Sequence, residues 1–550
     1  MKKHYATCCY TSKRLFTKRP HKTFLAILVV GLLVFNDARL IAAAYDMDSP
    51  SPFVIIPAYF ISFLLIPALL LNQNIIIRTI IQILLFSSIY TDVLYLLLSN
   101  FPFSFPDAIN MFNNPEYASG ALLTFTKAFL VAFALASMVY ATILYILKDL
   151  TFLVKPIWLL LFITIQVAFF LYTKHHAGIT DFFPSLYRVT GNLINANRFR
   201  PEEQWRRDAV SQQPNKRKAE QLYFIVDESI TGSTLSINGY QFPTTPFLQA
   251  NASRFINFGN ASSFTNFSAG SNLSLMSGML TKEFPDKHYR SFSKPSLFQY
   301  AKKSGYQTYL LDAQSKDGKL QNYITHQDLS YIDSFIQIGT LYPSLPPYSR
   351  DSILAEKLAE IAKRNIPSFV YVNKFGAHWP YHTNFPTDLD NSPFLIQNYT
   401  LKENERNYLQ SLYWNVDKFW ERLTQQLHGD SSVVILYTSD HGEDFTSASL
   451  KIKHASIYQA NTVEGIVPLL VYDQAHLFPD SFAPQVNKYS HEYIFPTLLF
   501  AMGYNKKFIL SNYGKTLLDP PNAEPRWFQT GDLFSRGKNR RIYVSPSVSN

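Results

Sequence analysis

Ser432-Val-Val-Ile-Leu-Tyr-Thr438 runs directly into Ser439-Asp-His-Gly-Glu443, and the chain changes character between the two. The first half is a short apolar, β-branched run that reads as a strand buried on both faces. The second half is polar, and four of its five residues carry groups able to bind a metal or hold a proton. Leu222–Val226, Thr308–Leu311, Ser368–Val372 and Val467–Tyr472 repeat the buried-strand pattern. Ser352–Asn365 and Asn404–Leu427, lying between these runs, have helical spacing. Strands alternating with helices predict a doubly wound α/β domain with a mostly parallel sheet. Ligands in such sheets collect beyond the carboxyl ends of the strands, so the residues just after each strand matter most.

Asp227 and Glu228 come directly after the first strand, and Lys374-Phe-Gly-Ala-His378 after the one ending near 372. Asp440, His441 and Glu443 come after the strand at 438, and His454 lies 13 residues beyond His441. Each of these has an ordinary structural reading alone: a carboxylate after a strand is often a cap, and a single histidine a satisfied core residue. Three such endings on strands of one sheet point to one rim. Carboxylate oxygen with imidazole nitrogen suits zinc or manganese.

The stretch Ser268-Ala-Gly-Ser271-Asn-Leu-Ser-Leu-Met-Ser-Gly278 reads as a small-residue turn entering a short helix. A hydroxyl at a helix N-terminus faces free N–H groups and the positive end of the dipole, which favours a phosphate. Ser271 is therefore either a nucleophile activated by metal or simply an N-cap.

The first 172 residues are of another kind. Apolar runs near 23–45, 52–71, 79–98, 121–147 and 156–172 are each long enough to cross a hydrocarbon layer. Seven Lys or Arg residues crowd positions 2–22 with no acidic residue among them. Arg78, Lys148 and Lys155 lie on the same side of the runs as that tail, whereas Asp46, Asp48, Asp107 and Glu116 lie on the other. The positive-inside rule puts the N-terminus in the cytoplasm and everything after residue 172 outside. Four further apolar runs exclude a cleaved signal peptide. Ionisable residues within the spans are few (Asp92, Lys127, Asp37 and Arg39), which favours an anchor over a transporter. The connection Phe101–Ser119 is amphipathic, either part of a lipid-facing wall or a plain loop. Residues 1–22 thus form a basic tail, 23–172 a five-helix membrane domain, 173–220 a linker and 221–550 the α/β domain. The net charge of +10 comes with no nucleic-acid motif. The only cysteines, Cys8 and Cys9, are adjacent in the tail, so disulfides do not staple the α/β domain.

Taken together, these segments resemble the phosphoethanolamine transferases, membrane members of the alkaline phosphatase/sulfatase superfamily. Glu228-Ser-Ile-Thr-Gly-Ser-Thr-Leu-Ser-Ile-Asn-Gly-Tyr240 is similar to their opening motif, and Ser268-Ala-Gly-Ser271 to their nucleophile turn. Asp312-Ala-Gln314, Ala377-His378-Trp-Pro380, Ser439–Glu443, His454 and Val467-Pro-Leu-Leu-Val471 come next in the family's order. The resemblance implies a catalytic zinc held by Glu228, Ser271, Asp440 and His441, with room for a second metal. It implies that Ser271 attacks phosphatidylethanolamine, leaving a phosphoethanolamine ester that an acceptor then displaces. His378 and His454 would hold phosphate oxygens, the leaving group or the second metal, and Asn110 and Glu116 would contact lipid or ethanolamine. The implied partners are phosphatidylethanolamine and an acceptor glycolipid, either a lipopolysaccharide or lipooligosaccharide core sugar or lipid A. The implied place is a Gram-negative-type inner membrane with the catalytic domain periplasmic. The chain departs from the family at Ser229, Thr231 and Ser233, and has Ala269 and Asp317 where relatives carry cysteines. A phosphoglycerol donor stays open. A sulfatase proper would need a Cys-x-Pro-x-Arg context, which is lacking, and a decayed scaffold should have lost a ligand.

Overall fold

The computed structural model describes residues 70, 74–113, 122–123, 125–147, 164, 185–199, 204–389, 401–427, 432–446, 454–455, 457, 460–534 and 539–544. The chain divides into two compact units, one reaching Phe199 and including 535–539, the other Arg200–Phe534 with 540–550.

In the first unit, α1 (Ile75–Ser99), α2 (Phe105–Asn113), α3 (Thr126–Leu147) and α4 (Ser185–Asn197) are described. Asn74 starts α1 by accepting the N–H groups of Ile76 and Ile77, and Asn100 ends it in the left-handed region. With 25 and 22 residues, α1 and α3 are long and apolar enough to cross a membrane. At 1.5 Å per residue they run about 37 and 33 Å, against a hydrocarbon layer of about 30 Å. They correspond to the third and fourth expected spans. The other three lie outside the described residues, apart from Leu70 and Thr164. Ala128, Ala132 and Ala136, one turn apart, form the buried stripe of α3, where small side chains let helices approach closely. Ile83, Leu130, Phe133 and Met138 point outward and are exposed.

Asp92, the acidic residue within the third apolar run, is buried in α1 and paired with Arg188 of α4 at 2.6 Å. Its other oxygen accepts the Phe103 N–H at 3.2 Å. An intrahelical charge is thereby neutralised inside its own unit.

The second unit is built on a seven-stranded sheet of β1 (Gln221–Asp227), β2 (Ile256–Ser262), β3 (Gln307–Asp312), β4 (Ser334–Gln337), β5 (Ser368–Asn373), β6 (Val433–Ser439) and β7 (Ile466–Asp473). Their order is β2-β7-β6-β1-β5-β3-β4. The strands from β6 to β4 are parallel, and β7 is antiparallel to both its neighbours. All five strands expected from the sequence are present. The sequence pattern does not announce β2, because Ile-Asn-Phe-Gly-Asn-Ala-Ser has no apolar run and is interrupted by a bulge between Asn257 and Asn260. β4 has only four residues and lies at the sheet edge.

Helices cover both faces. α5 (Ser268–Ser277) precedes α6 (Leu297–Lys303), which packs Phe298 against Phe369 and Tyr371. On the opposite face, Tyr223, Ile225 and Tyr437 join a core with α7 (Arg350–Ala362), α8 (Glu403–Leu412) and α9 (Lys418–Gln426). The helix expected over 404–427 is present from Glu403 to Gln426 and widens into a π turn at Tyr413–Asp417. The Asp417 carboxylate accepts the N–H groups of Phe247 and Leu248 there.

Removing one partner of a buried ion pair leaves the other uncompensated, so Asp92→Leu should cost the helical unit about 3–5 kcal/mol. Asp92→Leu with Arg188→Leu should recover most of that. Thermal unfolding of the full chain in detergent measures both, and equal losses in the single and double variants would show that the two do not act as a pair.

Candidate metal and phosphoryl-transfer site

The parallel register places the ends of β1 and β6 side by side: Asp227 lies opposite Ser439. The next residues, Glu228 and Asp440, are therefore neighbours, and both are buried. Ser229 adopts the left-handed region at φ 61°, unusual for a side chain with a Cβ. Its N–H donates to Asp440 Oδ1 at 3.1 Å, and that of His441 to the same oxygen at 2.7 Å. The other oxygen, Asp440 Oδ2, is buried and has no hydrogen-bond partner.

His441 is oriented by its own loop, with Nδ1 bonded to the Gly442 carbonyl at 2.8 Å. This leaves Nε2 facing Glu228 Oε1 at 3.5 Å and Asp440 Oδ2 at 3.6 Å. Ligand atoms of Glu228, Asp440 and His441 all lie within 4.8 Å of one another. Burial and the adjoining Glu228 push Asp440 well above the usual carboxylate range. For Glu228 burial acts upward too, but the hydrogen bond and charge of His441 outweigh it and hold the carboxyl below its ordinary value. Burial works against a charged His441, yet Asp440 and Glu228 raise it to about 10. Two carboxylates in this enclosure demand positive charge, which protons or a cation can provide. The orphaned Oδ2 and the O, O, N donor set fit zinc or manganese.

Two hydroxyls reach this cluster: that of Ser229, which donates to Glu228 Oε1 at 2.8 Å, and that of Ser268. Ser268 opens α5, and its Oγ is 3.2 Å from Glu228 Oε2 and 3.3 Å from His441 Nε2. Ser271, the residue expected from sequence to be nucleophile and ligand, lies almost one turn further along the helix. Its Oγ is fully buried and engaged by Thr265, accepting that residue's N–H at 3.1 Å and donating to its carbonyl at 3.2 Å. Among the described residues, no hydrogen bond joins Ser271 to Glu228, Asp440 or His441. The two serines differ because, three residues apart, they lie on adjoining parts of a helix face, and only the first reaches the open N-terminus.

His454 and His378 come to the same rim. The His441 and His454 ring centroids are 4.4 Å apart, and those of His378 and His454 are 5.8 Å apart. His454 Nδ1 is 2.9 Å from Glu443 Oε2, and Tyr381 donates to Glu443 Oε1 at 2.8 Å. His441, Glu443 and His454 form a second group of ligand atoms within 4.8 Å. Burial lowers the His454 pKa despite Glu443. Asn110 is on the exposed side of α2 in the helical unit, and Glu116 lies outside the described residues. Sequence reasoning assigns no role to Gln314, whose Nε2 donates to Glu228 Oε2 at 2.9 Å, or to Glu443 as the partner of His454. Their membership of the motifs Asp312–Gln314 and Ser439–Glu443 is the one signal that points to them.

A strand-end rim with two carboxylates, imidazoles and a helix-borne hydroxyl defines an enzyme of the alkaline phosphatase/sulfatase superfamily. The sulfatase family model matches residues 221–504, and the chain belongs to that family. No curated protein matches it. Among solved structures, it is similar to the integral membrane lipooligosaccharide phosphoethanolamine transferase A from Neisseria meningitidis. That match has a TM-score of 0.57 at 17% identity, covering 88% of this chain and 95% of that one. The periplasmic domain of EptC from Escherichia coli in complex with zinc gives 0.48 at 17% identity over 62% and 97%. The periplasmic domain of phosphoethanolamine transferase EptC from Campylobacter jejuni gives 0.45 at 17% over 58% and 100%. At such identities the likeness to these structures is one of fold.

Beside the site, buried His491 accepts the Phe264 N–H at Nδ1, and its Nε2 is 3.1 Å from Thr438 Oγ1. Thr438 donates to the Pro468 carbonyl, so it accepts from Nε2–H, and a second ring proton would break the Phe264 bond. Burial lowers His491 from 6.5 to about 3. The unfolded chain binds this proton between those values and the folded one does not, so stability falls as pH drops through the window. His491→Gln should flatten that dependence by up to about 1.4 kcal/mol per pH unit. Chemical denaturation at several pH values measures the slope, and an unchanged slope would contradict it.

Proposed function

We propose that the chain moves phosphoethanolamine from phosphatidylethanolamine to an envelope glycolipid, a lipopolysaccharide core sugar or lipid A, through an ester on Ser268. The observation that carries the reading is the Ser268 hydroxyl at the α5 N-terminus, 3.2 Å from Glu228 and 3.3 Å from His441. The substrate class is supported by the motifs around Glu228–Tyr240 and Ala377–Pro380, and by the union of a sulfatase-family domain with membrane-length helices in one chain.

Glu228, Asp440 and His441 would hold zinc, with Ser268 beside them. Bound zinc supplies Lewis-acid charge that favours the serine alkoxide and the charge growing on phosphoryl oxygens. Ser268 Oγ attacks phosphorus as the bond to the diacylglycerol oxygen breaks, and the serine proton ends on that oxygen. The N–H groups opening α5 face the anionic phosphoryl group. An acceptor hydroxyl or phosphate then displaces Ser268, which regains a proton. His378 and His454 are positioned to contact phosphate oxygens or the leaving group, Glu443 fixing the His454 ring. The five-span anchor, cytoplasmic N-terminus and periplasmic catalytic domain are part of this reading, resting on loop charge. So are lipid contacts at Asn110 and Glu116.

Incubating the full-length chain in detergent with phosphatidylethanolamine, then applying peptide mass spectrometry with fragmentation, tests it. Phosphoethanolamine is expected on Ser268. Ser268→Ala should lower transfer by about 10³-fold or more, as losing a nucleophile does, while Ser271→Ala keeps it within about tenfold because it removes only a structural hydrogen bond. A label on Ser271, or one surviving in Ser268→Ala, would defeat the assignment, and a glycerol-phosphate adduct would redirect the donor.

A further inference from the structure

Behind the metal-ligand cluster lies a cation supplied by the chain itself. Lys374, at the end of β5, has a fully buried side chain. Its Nζ is bonded to Asp227 Oδ2 and the Asn415 carbonyl, lies 3.6 Å from Asp351 Oδ2 and sits over the Phe419 ring at 4.2 Å. Asn415 belongs to the π turn joining α8 and α9, so the widened turn of that helix is where a backbone carbonyl meets the ammonium. Burying an ammonium costs several kcal/mol unless its partners are well placed, and here every partner is fixed by packing.

What these partners share is Glu228. Asp227, held by Lys374 and by the Tyr437 hydroxyl at 2.7 Å, accepts the Glu228 N–H at 2.9 Å. The Lys374 carbonyl accepts from Gln314 Nε2 at 2.9 Å, and the same nitrogen donates to Glu228 Oε2 at 2.9 Å. Asp351 accepts the N–H groups of Phe375 and Gly376, which directs the Ala377 N–H onto the Glu228 carbonyl at 3.0 Å. Gly376 lies so close that a Cβ there would be 2.4 Å from that carbonyl oxygen. The backbone N–H, the carbonyl and one carboxylate oxygen of Glu228 are thus all held by bonds that pass through Lys374 or the three residues after it.

We propose that Lys374 is a positioning residue for the metal-ligating carboxylate Glu228, setting the affinity of the site for zinc without touching substrate. The inference rests on the metal assignment made under Proposed function.

Zinc is the probe, titrated against a competing chelator with the full-length chain in detergent, for the wild type, Lys374→Met and Gln314→Leu. Loss of an outer partner of a metal ligand weakens binding by about 10–100-fold, and both variants should fall in that range. The rise in melting temperature on adding zinc should shrink alongside. Gln314→Leu leaves the buried ion pair intact and tests the link to the Glu228 carboxylate alone; if Lys374→Met does not fold, Lys374→Arg, which keeps the charge but not the placement of the ammonium, decides the matter by the same zinc titration. Wild-type affinity in the variants, with only the zinc-free melting temperature lowered, would make the role structural and overturn the inference. A wild-type chain that takes up no zinc would overturn the metal assignment and this inference together.

Discussion

Two carboxylates at the ends of adjoining parallel strands repel one another, and burial deepens the conflict because neither can be screened by water. The pairing of Asp227 with Ser439 brings Glu228 and Asp440 together, and the surrounding structure compensates for that meeting. His441 is turned by the Gly442 carbonyl so that one ring nitrogen faces both carboxylates. One Asp440 oxygen is saturated by two backbone N–H groups, and the other is left bare. Arrangements of this kind are stable when a cation joins them.

The same constraint explains the use of small residues. α5 is almost wholly buried and carries Ala269, Gly270 and three serines after Ser268, whose modest volume lets its N-terminus approach the sheet edge. A Cβ on Gly270 would meet the Phe267 ring at 2.7 Å. Ser271 is best understood within that packing. Its hydroxyl ties the approach loop through Thr265 and so helps fix where the helix begins, which in turn sets where Ser268 points. Opposite, the large apolar core around Trp420, Tyr437 and Tyr223 anchors the strands whose ends carry the polar load.

Much of this is legible in the chain itself. Buried parallel strands are continuous apolar runs, so β1, β3, β5, β6 and β7 declare themselves, and with them the residues next to them at the rim. Chain order and strand periodicity are enough to bring Glu228, Asp440 and His441 to one edge. β2 and the π turn escape because their cause is not local. A polar strand with a bulge forms because β7 offers it an edge, and a helix widens where Asn415 and Asp417 have distant partners, Lys374 and the Phe247–Leu248 backbone.

Sequence alone determined the class of fold, the rim on which the candidate ligands gather and the residue types there able to bind metal, because hydrophobic periodicity and strand ends are properties of contiguous residues. It pointed to Ser271 and not to Ser268, which shares its turn and its chemistry. Nor did it expose Lys374, Gln314 and Glu443 as supports of the site. Those assignments depend on which side chain faces the cluster, a matter of helix phase and of packing between segments far apart in the chain, such as Ser268 with His441 and Lys374 with Asp227. Only the folded chain brings such groups to a few ångströms, where one hydrogen bond decides which hydroxyl faces the carboxylates.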